Sequence, residues 1–233
     1  MSSPSDRDLA ALERRIHACE RCPRLRRYCE EVARTKRRAY ADQKYWGKPV
    51  AGFGDARARL LIVGLAPGAH GSNRTGRMFT GDSSGDWLYE ALFKYGFANQ
   101  PESISRSDGL ALEDAFITAA ARCAPPGNRP SPKELARCRP FMAREIALLD
   151  CVRVVVALGA IGLRAYLEAS GWWRKLAPRA RPKFAHGGET TLPDGLVLVT
   201  SYHPSRQNTQ TGRLSRAMWH AIFARARALL DRG

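Results

Sequence analysis

Short apolar runs punctuate the chain, and between them apolar residues recur at helical spacing. LLIVG (60–64), AFITAAA (115–121), VRVVVALG (152–159) and the start of GLVLVTSYHPS (195–205) are continuous enough to be strands buried on both faces. The intervening pattern predicts helices: one from about Asp6 to Arg38, broken near Cys22-Pro23; WLYEALFKYGF (87–97), ending at Gly96; Pro132 to Leu149; Ile161 to Ala169; and a terminal helix from Leu214 to Leu230. Ala39 to Asp55 reads as irregular. Strands alternating with helices imply an α/β fold, a three-layer α/β/α arrangement around a central, largely parallel four-stranded sheet.

In such sheets ligands sit beyond the carboxyl ends of the strands. Each polar segment that the pattern leaves unexplained follows a strand: GLAPGAHGSNRTGRMFTGD (64–82), CAPPGNRPSP (123–132) and SYHPSRQNTQTGRL (201–214). The first spends nineteen residues, five of them glycine, without building core. Loops that long are uncommon unless functional or disordered, and glycine, asparagine and arginine fit close backbone approach to a ligand. Three ordinary surface connections are the plainer alternative.

Length and composition narrow the class. The 233 residues, 44% of them hydrophobic, suit one compact domain, 1–233, with an N-terminal helical segment over about 1–55. No window is apolar enough to span a membrane, and the first residues lack a signal-peptide pattern, so a cytoplasmic protein is expected. A formal charge of +16 and a pI near 10.2 point to a polyanionic partner, with nucleic acid ahead of an anionic membrane because no basic segment also carries an exposed aromatic face. The arginines between Arg21 and Arg38 also read as a solvated helix face.

Six cysteines in a chain without secretory features argue against disulfides. Cys19 and Cys22 form a tight pair on a proline-terminated turn, and Cys123 and Cys138 flank the proline-rich loop. Together they could supply four thiolates to zinc or to an iron-sulfur cluster, and spacing does not separate the two. Scattered buried cysteines are the alternative. Cys29 and Cys151 read as core or surface thiols.

These segments resemble the family 5 uracil-DNA glycosylases, the UDGb branch of the uracil-DNA glycosylase superfamily, over nearly the whole chain. CERCPRL (19–25) is similar to the family's first cysteine pair, GLAPGAHGSNRTGRMFTGD to its first active-site motif, CAPPGNRPSPKELARC (123–138) to its second cysteine pair, and SYHPSRQNTQTGRL to its closing motif. The resemblance implies a 4Fe-4S cluster on Cys19, Cys22, Cys123 and Cys138. It also implies a monofunctional glycosylase that hydrolyses the N-glycosidic bond of uracil in DNA, acting as a monomer.

A glycosylase must extrude its base and hold it. Gly64, Ala66 and Gly68 let backbone amides approach a base edge, His70 lines the pocket, and Phe79 offers a stacking face; core packing is the other reading of Phe79. Asp82 either faces the cationic sugar and its attacking water or merely caps the next helix; the resemblance gives it catalysis. His203, locked between a strand end and Pro204, is placed to donate to the departing base. Asn128 reads as a turn residue, to which the resemblance assigns an active-site role. Asn73, Arg74, Arg77, Ser205, Arg206, Gln207, Asn208 and Arg213 are expected to grip phosphates or fill the gap left by the base.

Three positions depart from the wider superfamily. Leu65 and Ala66 stand where many relatives carry an acidic or amide side chain, and Ala119 where uracil-strict ones carry a base-reading asparagine. A pocket without those partners loses discrimination, which implies removal of other deaminated bases such as hypoxanthine. A non-catalytic iron-sulfur DNA-binding protein is the alternative. A phosphate-handling enzyme is disfavoured, because no GxxxxGK[ST] follows the first strand.

Overall fold

The computed structural model describes residues 4–232. The chain opens with α1 (Pro4–His17) and α2 (Pro23–Thr35), separated at the Cys19–Cys22 turn where Pro23 takes the first helical position. A two-residue strand, β1 (Phe53–Gly54), precedes β2 (Leu60–Gly64). The long loop after β2 holds one turn of helix, α3 (Ser72–Thr75), and runs into α4 (Ser83–Lys94). Then follow β3 (Ala115–Ala119), α5 (Pro132–Leu148), β4 (Val154–Leu158), α6 (Gly159–Ala169) and α7 (Trp172–Lys175). The last elements are β5 (Glu189–Thr191), β6 (Val197–Ser201), α8 (Arg206–Gln210) and α9 (Arg216–Leu230).

The sheet has six strands in the order β1-β3-β2-β4-β6-β5. The expected four are its parallel centre, in register from Leu60 beside Ala115 and Val154 to Leu158 beside Ser201. Antiparallel edges, β1 on β3 and β5 on β6, correct the four-stranded expectation to a mixed sheet. Two residues containing a glycine, and the polar triplet Glu-Thr-Thr, carry no apolar alternation from which a strand is readable. Short edges of this kind limit pairing with other chains.

Successive strand residues feed opposite layers, as the pleat requires. Leu60, Ile62, Val154, Val156 and Ile117 pack with Leu88 and Leu92 of α4 and Trp219 and Phe223 of α9. Leu61, Val63, Val155, Ala157 and Phe116 pack with Met142 of α5 and Leu163, Tyr166 and Leu167 of α6. α1 lies against α5 on this second face. The parallel crossovers therefore deliver the exits of β2, β3, β4 and β6 to one edge. Among the described residues, no helix is long and apolar enough to cross a membrane.

Candidate active site

The loop leaving β2 is a self-supporting scaffold. Arg74 is buried; its Nε donates to the His70 carbonyl (2.7 Å), Nη1 to Gln43 Oε1 (2.6 Å) and Nη2 to the Gly81 carbonyl (2.7 Å), while its guanidinium lies 3.9 Å from the Tyr40 ring centre. Arg77 is also buried. It forms a two-pronged ion pair with Asp108 (2.8 and 2.7 Å), reaches Thr80 and Ser103, and faces Phe53. Asn73 is fully buried and donates to the Cys29 carbonyl at 3.3 Å. These three side chains, expected on phosphates, are corrected to internal struts. A loop without a sheet or a long helix must find partners for its own carbonyls, and a guanidinium with five donors supplies several at once.

That scaffold ends at Asp82. Its backbone is extended, and its Oδ1 accepts from the amides of Ser84 (3.0 Å) and Gly85 (3.1 Å), so the capping role is real. Oδ2 is left for other work. It lies in a cradle of glycines: a Cβ on Gly71 would stand 1.9 Å from it, and one on Gly68 2.7 Å. Burial raises the Asp82 pKa above the ordinary carboxylate value, opposed by the two helix amides and by the charge of Arg206. Gly71→Ala should therefore push the carboxylate out of place and lower kcat by about 10²-fold at unchanged DNA affinity, read from single-turnover kinetics beside a binding titration.

Three residues earlier, Phe79 sits at φ 52°, a left-handed conformation unusual for an aromatic residue. Its ring fits where Gly64 has no side chain, since a Cβ there would be 3.0 Å from Cε2 and Cζ. It stacks on His203, with centroids 5.7 Å apart and planes at 28°. Burial lowers the His203 pKa to about 4, so the imidazole is neutral at physiological pH. The His203 carbonyl accepts from Asn208 Nδ2 at 2.8 Å, and Ser205 caps α8 through the Asn208 amide. Those two side chains brace the closing loop. Arg206 and Gln207 remain exposed, and Arg213 lies 4.5 Å over the Tyr202 ring.

His70 and Asn128 lie at the margins. His70 is half-buried, and its Nδ1 pairs with the Tyr45 hydroxyl at 3.0 Å. Asn128 is exposed at φ 56° on the turn after β3, and its side chain has no hydrogen bond among the described residues. Among the described residues no hydrogen bond joins it to Asp82, so its turn geometry is clear and its active-site role rests on the resemblance alone.

Cys22, Cys29, Cys123 and Cys138 are buried, and Cys151 lies apart, just before the start of β4. Cys22, Cys29, Cys123 and Ala124 share one apolar cluster with Leu25. Burial pushes the Cys138 thiol up to about 11, and both Cys123 and Cys22 add to that shift, so these three sulfurs feel one another. Burial raises Cys22 too, opposed by the nearby Arg137. Cys19 packs instead beside Leu12, Ile16, Ala51 and Phe141. Among the described residues, no three His, Cys, Asp or Glu side chains stand gathered as metal ligands. Cys29 is a buried core thiol that shares this cluster with Cys123, and its Sγ donates to the Ala124 carbonyl at 3.6 Å.

A family model described as the uracil DNA glycosylase superfamily matches residues 51–227. The chain belongs to that superfamily. It is 50% identical to a type-5 uracil-DNA glycosylase of Thermus thermophilus over 95% of this chain and 98% of the relative. It is 50% identical to one of Mycobacterium tuberculosis, over 92% and 79%, and 43% identical to one of Pyrobaculum aerophilum, over 92% and 90%.

In this glycosylase fold, Gly64, Gly68, Phe79, Asp82 and His203 come together at the strand ends, with Ala66 half-buried between them in sequence. Two participants escaped the sequence reading. Tyr45, in a stretch read only as irregular, anchors His70. Tyr202 supports the loop that carries His203, its ring stacked on His186 with centroids 5.1 Å apart. The aromatic residues in KYWGKPVAGFG were the only available signal for the first, and nothing distinguished the second from a strand residue.

Proposed function

We propose that the chain hydrolyses the N-glycosidic bond of uracil in DNA, releasing the free base and leaving an abasic site for base excision repair. The supporting observation is the free Oδ2 of Asp82 in its glycine cradle, beside the Phe79–His203 pair at the strand ends. As the C1′–N1 bond breaks, its electron pair leaves with the base and positive charge grows on the sugar. The Asp82 carboxylate stabilises that charge and accepts a proton from the water that adds to C1′. The neutral His203 imidazole donates a hydrogen bond to the oxygen of the departing base, and Phe79 supplies a flat surface for the extruded ring.

The pocket is permissive. Ala119 is buried at the end of β3, and Leu65 and Ala66 add no polar side chain, so these three positions do not demand the hydrogen-bond pattern of uracil. Hypoxanthine and related deaminated bases should be removed as well. Duplexes carrying uracil, inosine or xanthine, incubated separately and treated with alkali, should yield strand breaks at uracil and inosine. Breaks at uracil alone would contradict the tolerance.

Cys19, Cys22, Cys123 and Cys138 are our choice of ligands for a 4Fe-4S cluster. An all-thiol donor set suits such a centre, and Cys22 and Cys123 already share one buried cluster. When bound, the cluster would supply a covalent tie between the α1–α2 turn, the β3 exit and α5. Cys138→Ser should lower iron and sulfide content relative to the unaltered chain. The enzyme would work in the cytoplasm as a monomer on DNA.

A further inference from the structure

Beyond the strand-end loops, the connection from α6 to β5 carries Arg174, Lys175, Arg179, Arg181 and Lys183 within ten residues and has no acidic residue among them. Among the described residues, none of the five has an acidic partner. Nearby cations behave otherwise: Arg139 and Arg164 are tied to Glu168, and Arg225 to Glu189. Arg174, Lys175, Arg179 and Lys183 are exposed.

Arg181 is held in a less comfortable place. Its guanidinium lies 4.3 Å from the Trp173 ring centre, and that of Arg164 lies 3.3 Å from the same ring. Its Nε is buried without a hydrogen-bond partner. Two cations on one ring, one of them short of an acceptor, leave a standing demand for an anion. Pro178 and Pro182 restrict the backbone between the cations, so little freedom is lost when they engage a ligand.

The ridge starts near the entry ends of β4 and β6, where Lys175 shares a cavity with Asp150, Val152 and Leu196, and the residues that follow it reach the rim of the active site. Phe184 packs on Tyr202 with ring centres 5.9 Å apart, His186 stacks on the same ring, and the Tyr202 amide donates to His186 Nδ1 at 3.2 Å. Tyr202 immediately precedes His203, and Arg213 covers its ring. The partner's chemistry follows from the surface. Trp172 and Trp173 pack toward the core and are covered by cations, so no aromatic face is free to enter a bilayer, and a regular row of phosphates fits better.

We propose that the 174–183 ridge holds the phosphate backbone of duplex DNA flanking the lesion and extends the footprint past the site. It deepens the glycosylase reading, while its test uses binding and so does not depend on catalysis. The full chain, Arg179→Ala/Lys183→Ala and Arg179→Ala/Arg181→Ala/Lys183→Ala are titrated with an undamaged duplex over a salt series. The slope of log K against log salt should fall in magnitude by about 0.9 for each cation that meets a phosphate. The double variant leaves the Trp173 stack intact, so its result stands even if the triple variant misfolds. Arg179→Lys should keep most of the slope.

With a long uracil duplex, KM should rise and kcat stay level in the double variant. Unchanged slope and affinity in that variant would overturn the proposal, as would a loss of binding to anionic phospholipid vesicles with DNA binding intact. A wild-type chain that releases no uracil yet shows the ridge-dependent slope would sink the glycosylase reading and leave the ridge standing.

Discussion

Asp82→Asn should slow uracil release by about 10²–10⁴-fold while leaving the protein folded and able to bind DNA. The asparagine keeps an oxygen where Oδ1 accepts from Ser84 and Gly85, so α4 retains its cap. What disappears is the negative charge at Oδ2, the one oxygen that the glycine cradle leaves to the reaction. Asp82→Ala loses both functions and should cost about 1 kcal/mol of stability besides the rate. The stability effect of the asparagine has a definite sign. Burial raises the folded pKa of Asp82, so the folded state binds the proton more readily than the unfolded chain. Its contribution to stability therefore falls as pH rises from the unfolded value through the folded one. At neutral pH the ionised carboxylate is held at a cost, and Asp82→Asn should melt no lower than the native protein. Single-turnover rates and thermal melts at pH 7 check the two halves separately.

Glu145→Ala should be among the most destabilising single changes, about 3–5 kcal/mol, because it strands a buried cation. Glu145 and Arg122 are 3% and 1% exposed at their side chains and are joined at 2.5 Å. The same carboxylate accepts from Thr118 Oγ1 (2.5 Å) and from the Gly52 amide (3.2 Å), tying α5 to β3 and to the segment before β1. Arg122 has no slack, since among the described residues its Nε and Nη1 already lack partners. Removing the carboxylate leaves the whole guanidinium uncompensated inside the protein. Glu145→Gln keeps an acceptor and should lose less. Denaturant titration should show the alanine variant unfolding at a markedly lower midpoint with an unchanged slope. Arg122 adjoins Cys123, so a cluster held there should also be released more readily.

The central strands were legible because a parallel strand covered on both faces is apolar at nearly every position, as LLIVG and VVVAL are. The edges were not, because β1 and β5 are too short and too polar to carry a period. Asp82 carries two readings in the sequence, a cap and a catalyst; the structure shows the cap on Oδ1 and leaves Oδ2 outside it. Arg74 and Arg77 show the opposite difficulty. In a glycine-rich loop, an arginine aimed at phosphate and one that braces carbonyls look alike, and only Asp108, Gln43 and Gly81 arriving from elsewhere in the chain decide it. Cys29 is the core thiol its helical context suggests, but that context hides that Cys123 lies in the same cluster. Tyr45 and Tyr202 act entirely through tertiary contacts, which no local pattern encodes.

The most direct check on the paired roles is the pH dependence of single-turnover uracil release by the native enzyme, with Asp82→Asn and His203→Ala alongside. The carboxylate must be ionised, so the rate should fall as pH drops through the raised Asp82 pKa, with a one-proton slope that Asp82→Asn abolishes. His203 titrates only near 4 and should add no limb around pH 6.5, while His203→Ala lowers the plateau by about 10²–10³-fold. An acid limb that persists unchanged in Asp82→Asn, or one near pH 6.5 that vanishes in His203→Ala, would contradict the assignment.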